Sequence, residues 1–141
     1  MDRRTFLQIS SALSAGPLLS PLSRRVPDQQ PITNWAGNLT YGTTNIEYPA
    51  SVDAIQELVK KYDKVKVLGT RHCFNTIADS KDRFISLRNI NKIISLDEKA
   101  KTVTMEAGIK YGELAPWLNE KGYALHNLAT LPHVSVAGAI T

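Results

Sequence analysis

After residue 33 the chain holds no single hydrophobic period for long, and this succession of short elements limits what it can fold into. Val52, Ile55, Leu58, Val59 and Tyr62 recur at helical spacing behind Ser51. That predicts an amphipathic helix over 52–62 with Ser51 as its N-cap. The period then drops to two. Val65 and Val67 alternate with Lys64 and Lys66, and Leu68 leads into a turn at Gly69. Phe84-Ile85-Ser86-Leu87 and Ile93-Ile94-Ser95-Leu96 read as further strands. Residues 97–101 are a polar turn, and 102–107 a strand with Val103 and Met105 on one face. A second helix over 111–121 presents Tyr111, Leu114, Trp117 and Leu118 to the core, with Gly122 as its C-cap. Pro116 suits that helix best if it starts near Glu113. A brief strand at Tyr123-Ala124-Leu125 and a long loop complete the reading, without internal repeats. The order specifies an α+β domain, a small mixed sheet with helices packed on one side.

Composition narrows the function classes. The 141 residues suit one domain, and 43% apolar with 21% charged residues is ordinary for a globular chain. No eighteen-residue apolar run occurs, which excludes a multi-pass membrane protein. The net charge of +4 is modest. Its densest basic group, Lys60, Lys61, Lys64 and Lys66, contains Asp63 and few aromatic neighbours. A solvated helix end and strand edge explain that better than a nucleic-acid groove. Neither G-x-G-x-x-G nor a P-loop pattern is present. Cys73 is the only cysteine, so no internal disulfide can form. His72 and Cys73 are adjacent, while His126 and His133 lack paired ligand spacing, so no metal is expected.

Residues 1–30 read as an address and linker. Asp2-Arg3-Arg4-Thr5-Phe6-Leu7-Gln8 sets two arginines before a mildly apolar run and resembles a twin-arginine export signal, which is read by a receptor. An ordinary secretory signal is the alternative. The expectation is an exported, periplasmic protein that meets the twin-arginine machinery. It stays membrane-anchored if the loose cleavage match Leu13-Ser14-Ala15 is not cut. Residues 31–141 form the body.

Two stretches carry chemistry. In Val67-Leu68-Gly69-Thr70-Arg71-His72-Cys73-Phe74-Asn75 a strand delivers a glycine turn, then hydroxyl, guanidinium, imidazole and thiol groups. Such a turn either lets a phosphate approach its backbone amides, with Arg71 adding charge, or is a polar surface loop. Residues 126–141 are small and hydroxyl-rich, and fit either a flat ligand or an ordinary loop.

Together the two stretches resemble the flavin loops of the vanillyl-alcohol-oxidase (PCMH) type of FAD-binding domain. Gly69-Thr70-Arg71-His72-Cys73-Phe74-Asn75 is similar to its histidine loop, and Leu131-Pro132-His133-Val134-Ser135-Val136-Ala137-Gly138 to its second loop. With Asn34-Trp35-Ala36-Gly37-Asn38, the likeness is to alditol oxidases and aldonolactone oxidases and covers residues 34–141. It implies FAD bonded through the His72 ring to the 8α-methyl of the flavin, since a neutral imidazole nitrogen is a competent nucleophile. It also implies that Val67, Leu68, Gly69, Thr70, Arg71, His72 and Cys73 line the cofactor and that Thr130, Ser135 and Gly138 contact it. Ala129 is then near the reactive face, and His133 is a structural loop residue. The sequence departs from the family at Arg71, where glycine is common, and at Cys73, where serine is usual. A side chain at position 71 needs a negative φ or strain.

The resemblance further implies oxidation of a polyol or a sugar-acid lactone, with oxygen or another acceptor reoxidising the flavin. Relatives continue past this point with the rest of the FAD domain and a substrate domain. Residues 34–141 offer no convincing base for alcohol oxidation, so the chain reads as the front of a flavoenzyme, inactive alone. The alternatives are an exported non-catalytic flavin-binding module, a truncated remnant, or a cytoplasmic reductase of the same superfamily. The export signal and His72 argue against the last.

Overall fold

A computed structural model describes residues 30–141. The address read over 1–30 lies outside the described residues except for Gln30. The element order is β1 (Ile46–Glu47), α1 (Val52–Lys61), β2 (Lys66–Leu68), a 3-10 turn (Thr76–Ala78), β3 (Phe84–Ser86), β4 (Ile93–Asp97), β5 (Thr102–Met105), α2 (Tyr111–Glu120) and α3 (Val136–Ile140).

The strands form two sheets, and each has one pairing type. In the first, β3 lies between β1 and β2 and runs parallel to both, so Phe84 stands opposite Ile46 on one side and Lys66 on the other. Parallel strands need crossovers, and α1 carries the chain from β1 to β2, which flank β3. In the second, β4 and β5 form an antiparallel hairpin. Its turn is closed by Asp97 Oδ1, which accepts from the amides of Lys99 and Ala100, each at 2.9 Å. Parallel and antiparallel pairing, expected in one small mixed sheet, are thus divided between two.

Each sheet has its own core. Phe84, wholly buried at the centre of the parallel sheet, packs with Leu68 and with Tyr41, whose ring lies 5.5 Å away at 51°. The hairpin is covered by α2. Leu114 and Leu118 join Ile109, Tyr111 and Val136, and the hairpin residues Ile93, Leu96, Val103 and Met105 pack against them. Truncating a fully buried leucine such as Leu114 to alanine would cost about 2–5 kcal/mol.

The local signals account for the helices. Ser51 Oγ accepts from Ala54 N at 3.1 Å, Asp53 lies in the first turn of α1, and Lys60 and Lys61 in the last. No α1 residue is fully buried, and Val52 and Val59 stay more than half exposed. The helix is tied at its end, where the Tyr62 hydroxyl donates to Glu47 Oε1 at 3.1 Å. Arg83 pairs with the same carboxylate at 2.7 Å and lies over the Tyr62 ring. Gly122 follows α2 with φ +79°, as a helix C-cap requires.

The second helix starts at Tyr111, as its expected span has it, and Pro116 lies inside it. Two expectations need correction. Residues 123–125 form no strand. Tyr123 N instead donates to Leu118 O at 2.9 Å, closing the helix end, and Tyr123 and Leu125 pack on the α2 core. Finally, the long loop ends in a short helix, α3, although Ser135 gives it no side-chain cap.

Gly108, after β5, packs on the segment that joins β3 to β4. Its amide donates to Ile90 O at 2.8 Å. A Cβ there would stand 1.9 Å from Leu87 O and 2.6 Å from Ile90 O, so only glycine fits. Among the described residues, no helix is long and apolar enough to cross a membrane.

Candidate functional site

The turn Gly69–Asn75 leaves β2 and is held by residues far away in sequence. Trp35 N donates to Arg71 O at 2.8 Å, and the Arg71 guanidinium returns to Thr33 O at 3.0 Å. Asn34, only 2% exposed, donates through Nδ2 to Cys73 O at 3.1 Å and to Asn38 Oδ1 at 2.8 Å. Its Oδ1 accepts from Leu39 N at 3.1 Å. The Cys73 thiol donates to Asn75 Oδ1, and that oxygen also caps the 3-10 turn through Ile77 N at 3.0 Å. Arg71 has φ +65°, so the strain expected of a side chain at that position is present.

The second loop is built on the start of α2. Lys110 provides no side-chain cap, so the first helical amides need other acceptors. The loop carbonyls supply them: Tyr111 N donates to Val134 O at 3.1 Å and Gly112 N to Pro132 O at 2.7 Å. A side chain at Gly112 would press on Pro132, which is 3.0 Å from its would-be Cβ. In return Val136 N donates to Ile109 O at 2.9 Å. The two loops touch where Ser135 N donates to Thr70 Oγ1 at 3.3 Å. Ser135 Oγ fills the space beside Gly69 and Gly138, 3.4 Å and 2.8 Å from their would-be Cβ positions.

This junction brings His72 and His133 together. Their ring centroids are 4.7 Å apart, and the Trp35 indole stacks within 5.0 Å of the first and 5.9 Å of the second. Both Nε2 atoms are buried and have no hydrogen-bond partner. Burial, and then the adjacent His133, hold His72 below the ordinary histidine value, so its imidazole is neutral at neutral pH.

Thr70, Arg71, His72, Ser135, Gly138 and Gly69 therefore lie around one junction. Cys73 faces Asn75 beside it. Leu68 sends its side chain into the parallel-sheet core, while Val67 and Thr130 are exposed. Sequence reasoning missed Asn34 and Trp35 as site residues and gave His133 only a loop role. Among the described residues, no three His, Cys, Asp or Glu side chains cluster to hold a metal ion.

The arrangement fits a planar polar ligand. Two orphaned imidazole nitrogens need partners. Trp35, stacked on both histidine rings, is still 54% exposed as a residue. Gly69 is not crowded by the protein, since its would-be Cβ makes only an ordinary contact with Ser135 Oγ. The use left for its missing side chain is close passage of a ligand along the backbone.

Fold and site together define an α+β domain whose two irregular loops meet at one junction. The family model described as FAD binding domain matches residues 44–141, and the protein belongs to that family. It is similar to the alditol oxidase of a Streptomyces species, with 37% identity over 112 residues, covering 77% of this chain and 27% of that protein. Mus musculus L-gulonolactone oxidase is 36% identical over 113 residues, covering 76% and 25%. The chain thus spans about a quarter of the length of these curated relatives. The structure of cholesterol oxidase from Brevibacterium sterolicum shares the fold, with a TM-score of 0.65 at 19% identity over 88% of this chain and 26% of that one.

Proposed function

We propose that the protein is the FAD-binding front of a flavin-dependent oxidoreductase acting on the CH–OH group of a polyol or an aldonolactone. The relatives named alditol oxidase and L-gulonolactone oxidase support that substrate class. FAD supplies the two-electron acceptor for the substrate's hydride, and oxygen or another acceptor reoxidises it. The chain's own residues bind and orient. The strand-end turn at Gly69 and Thr70 brings backbone amides to the cofactor, Arg71 adds a cation, and Ser135 and Gly138 close the opposite side. His72 forms a covalent bond to the flavin. In this reading residues 31–141 are the FAD-binding part, and residues 1–30 send the protein through the twin-arginine machinery to the periplasm, anchored if they are not cleaved.

One observation carries the covalent reading: the buried, unpartnered Nε2 of a His72 ring held neutral. A lone pair at that atom is what bond formation requires. The test is acid precipitation of the full-length holoprotein followed by trypsin. Cleavage after Arg71 and Lys81 gives a peptide of residues 72–81, and the yellow colour is expected on that peptide. Colour left wholly in the acid supernatant would refute covalent attachment.

A further inference from the structure

His133 has no part in the reading above, yet its ring lies closer to His72 than that of Trp35 does, 4.7 Å against 5.0 Å. It is also unusually well fixed. The residues on either side of it are bonded to the first turn of α2, Pro132 O from Gly112 N and Val134 O from Tyr111 N. His72 follows the strained Arg71, and its own flanks are held from a different segment, Arg71 O by Trp35 N and Cys73 O by the Asn34 side chain. A ring whose backbone is fixed by a separate element can set the orientation of the side chain packed against it.

We infer that His133 is the positioning residue of His72, a rigid wall, tilted against the imidazole, that with the stacked Trp35 holds it in the single orientation in which it bonds to the flavin. This rests on the covalent reading of His72. The reaction balances with dioxygen as oxidant. A new imidazole N–C bond replaces one imidazole N–H and one C–H of the flavin 8α-methyl. The two protons and two electrons released end on dioxygen as hydrogen peroxide. Stacking aligns the nitrogen for this step, and misalignment of reacting groups can cost up to about a hundredfold in rate. The neighbouring ring also works against protonation of His72.

The experiment uses full-length apoprotein from a riboflavin-starved host, mixed with FAD in air. Total bound flavin and acid-stable flavin are followed separately. His133→Ala is expected to slow attachment about tenfold or more while total bound flavin stays near wild type. His133→Phe, which restores a flat ring, should recover attachment to within about threefold, and His126→Ala, at an exposed position, should attach normally. Three outcomes overturn the inference: wild-type attachment in His133→Ala, loss of bound flavin in proportion to loss of attachment, or failure of His133→Phe to recover. A wild-type protein that binds FAD but never attaches it would instead refute the covalent reading itself, and this inference with it.

Discussion

Asn34 and Cys73, 39 positions apart, are joined by a hydrogen bond from the Asn34 side-chain amide to the Cys73 carbonyl at 3.1 Å. With two further bonds, to Asn38 and from Leu39, it makes Asn34 the buried knot between the first turn and the histidine loop. Replacing Asn34 by Ala strands the Cys73 carbonyl and the Leu39 amide and should cost about 2–3 kcal/mol. Asn34→Asp should be no better, because a carboxylate would face the Cys73 carbonyl. Urea midpoints of the three proteins measure this; an Asp variant as stable as wild type would refute it.

Arg71 yields a prediction about sign. Its φ of +65° is strained for any residue with a Cβ, while its guanidinium gains a bond to Thr33 O. Arg71→Ala keeps the strain and loses the bond. Arg71→Gly loses the bond but relieves the strain, worth about 1–2 kcal/mol. The glycine variant should therefore be the more stable of the two by about 1 kcal/mol, read from chemical denaturation.

The contact between the loops can be tested without changing side-chain shape. Thr70→Val removes the acceptor of the Ser135 amide, leaving that buried residue's N–H unpaired at a cost of about 1–2 kcal/mol. Weaker FAD binding should accompany the loss, since the two loops would no longer be tied. A titration of apoprotein with FAD reads the second effect.

His72 sets a direction with pH. Its folded value lies below the ordinary 6.5, so between the two values the unfolded chain binds more protons than the folded one. Stability therefore falls as pH drops through that ordinary value, and the loss stops once pH is under the folded value. Between about pH 7.5 and about pH 5.5, wild type should lose more stability than His72→Gln, which lacks this group. Equal losses in both would contradict the burial of the ring.

Much of this fold is legible in local patterns because its devices are local. The Ser51 cap, the Gly122 C-cap and the alternation of Val65 and Val67 each act within a few residues, and the helices and strands form where those signals lie. The division into two sheets is not legible, because pairing partners are set by long-range register and not by period. Nor is α3: Val136, Ala137, Gly138, Ala139 and Ile140 are a poor helical sequence, and the bond from Val136 N to Ile109 O is tertiary. At the site the loop chemistry can be read directly, while the cost of a side chain at position 71 is implied only by the family resemblance. The packing of His133 and Trp35 against His72 cannot, since it depends on where α2 places the second loop.

Gly108 has an evolutionary consequence. With a carbonyl 1.9 Å from where any methyl would go, the contact with the β3–β4 connection has no slack, and a side chain there forces the backbone to shift. Divergence at this position has to wait for a compensating move of the Leu87–Ile90 backbone.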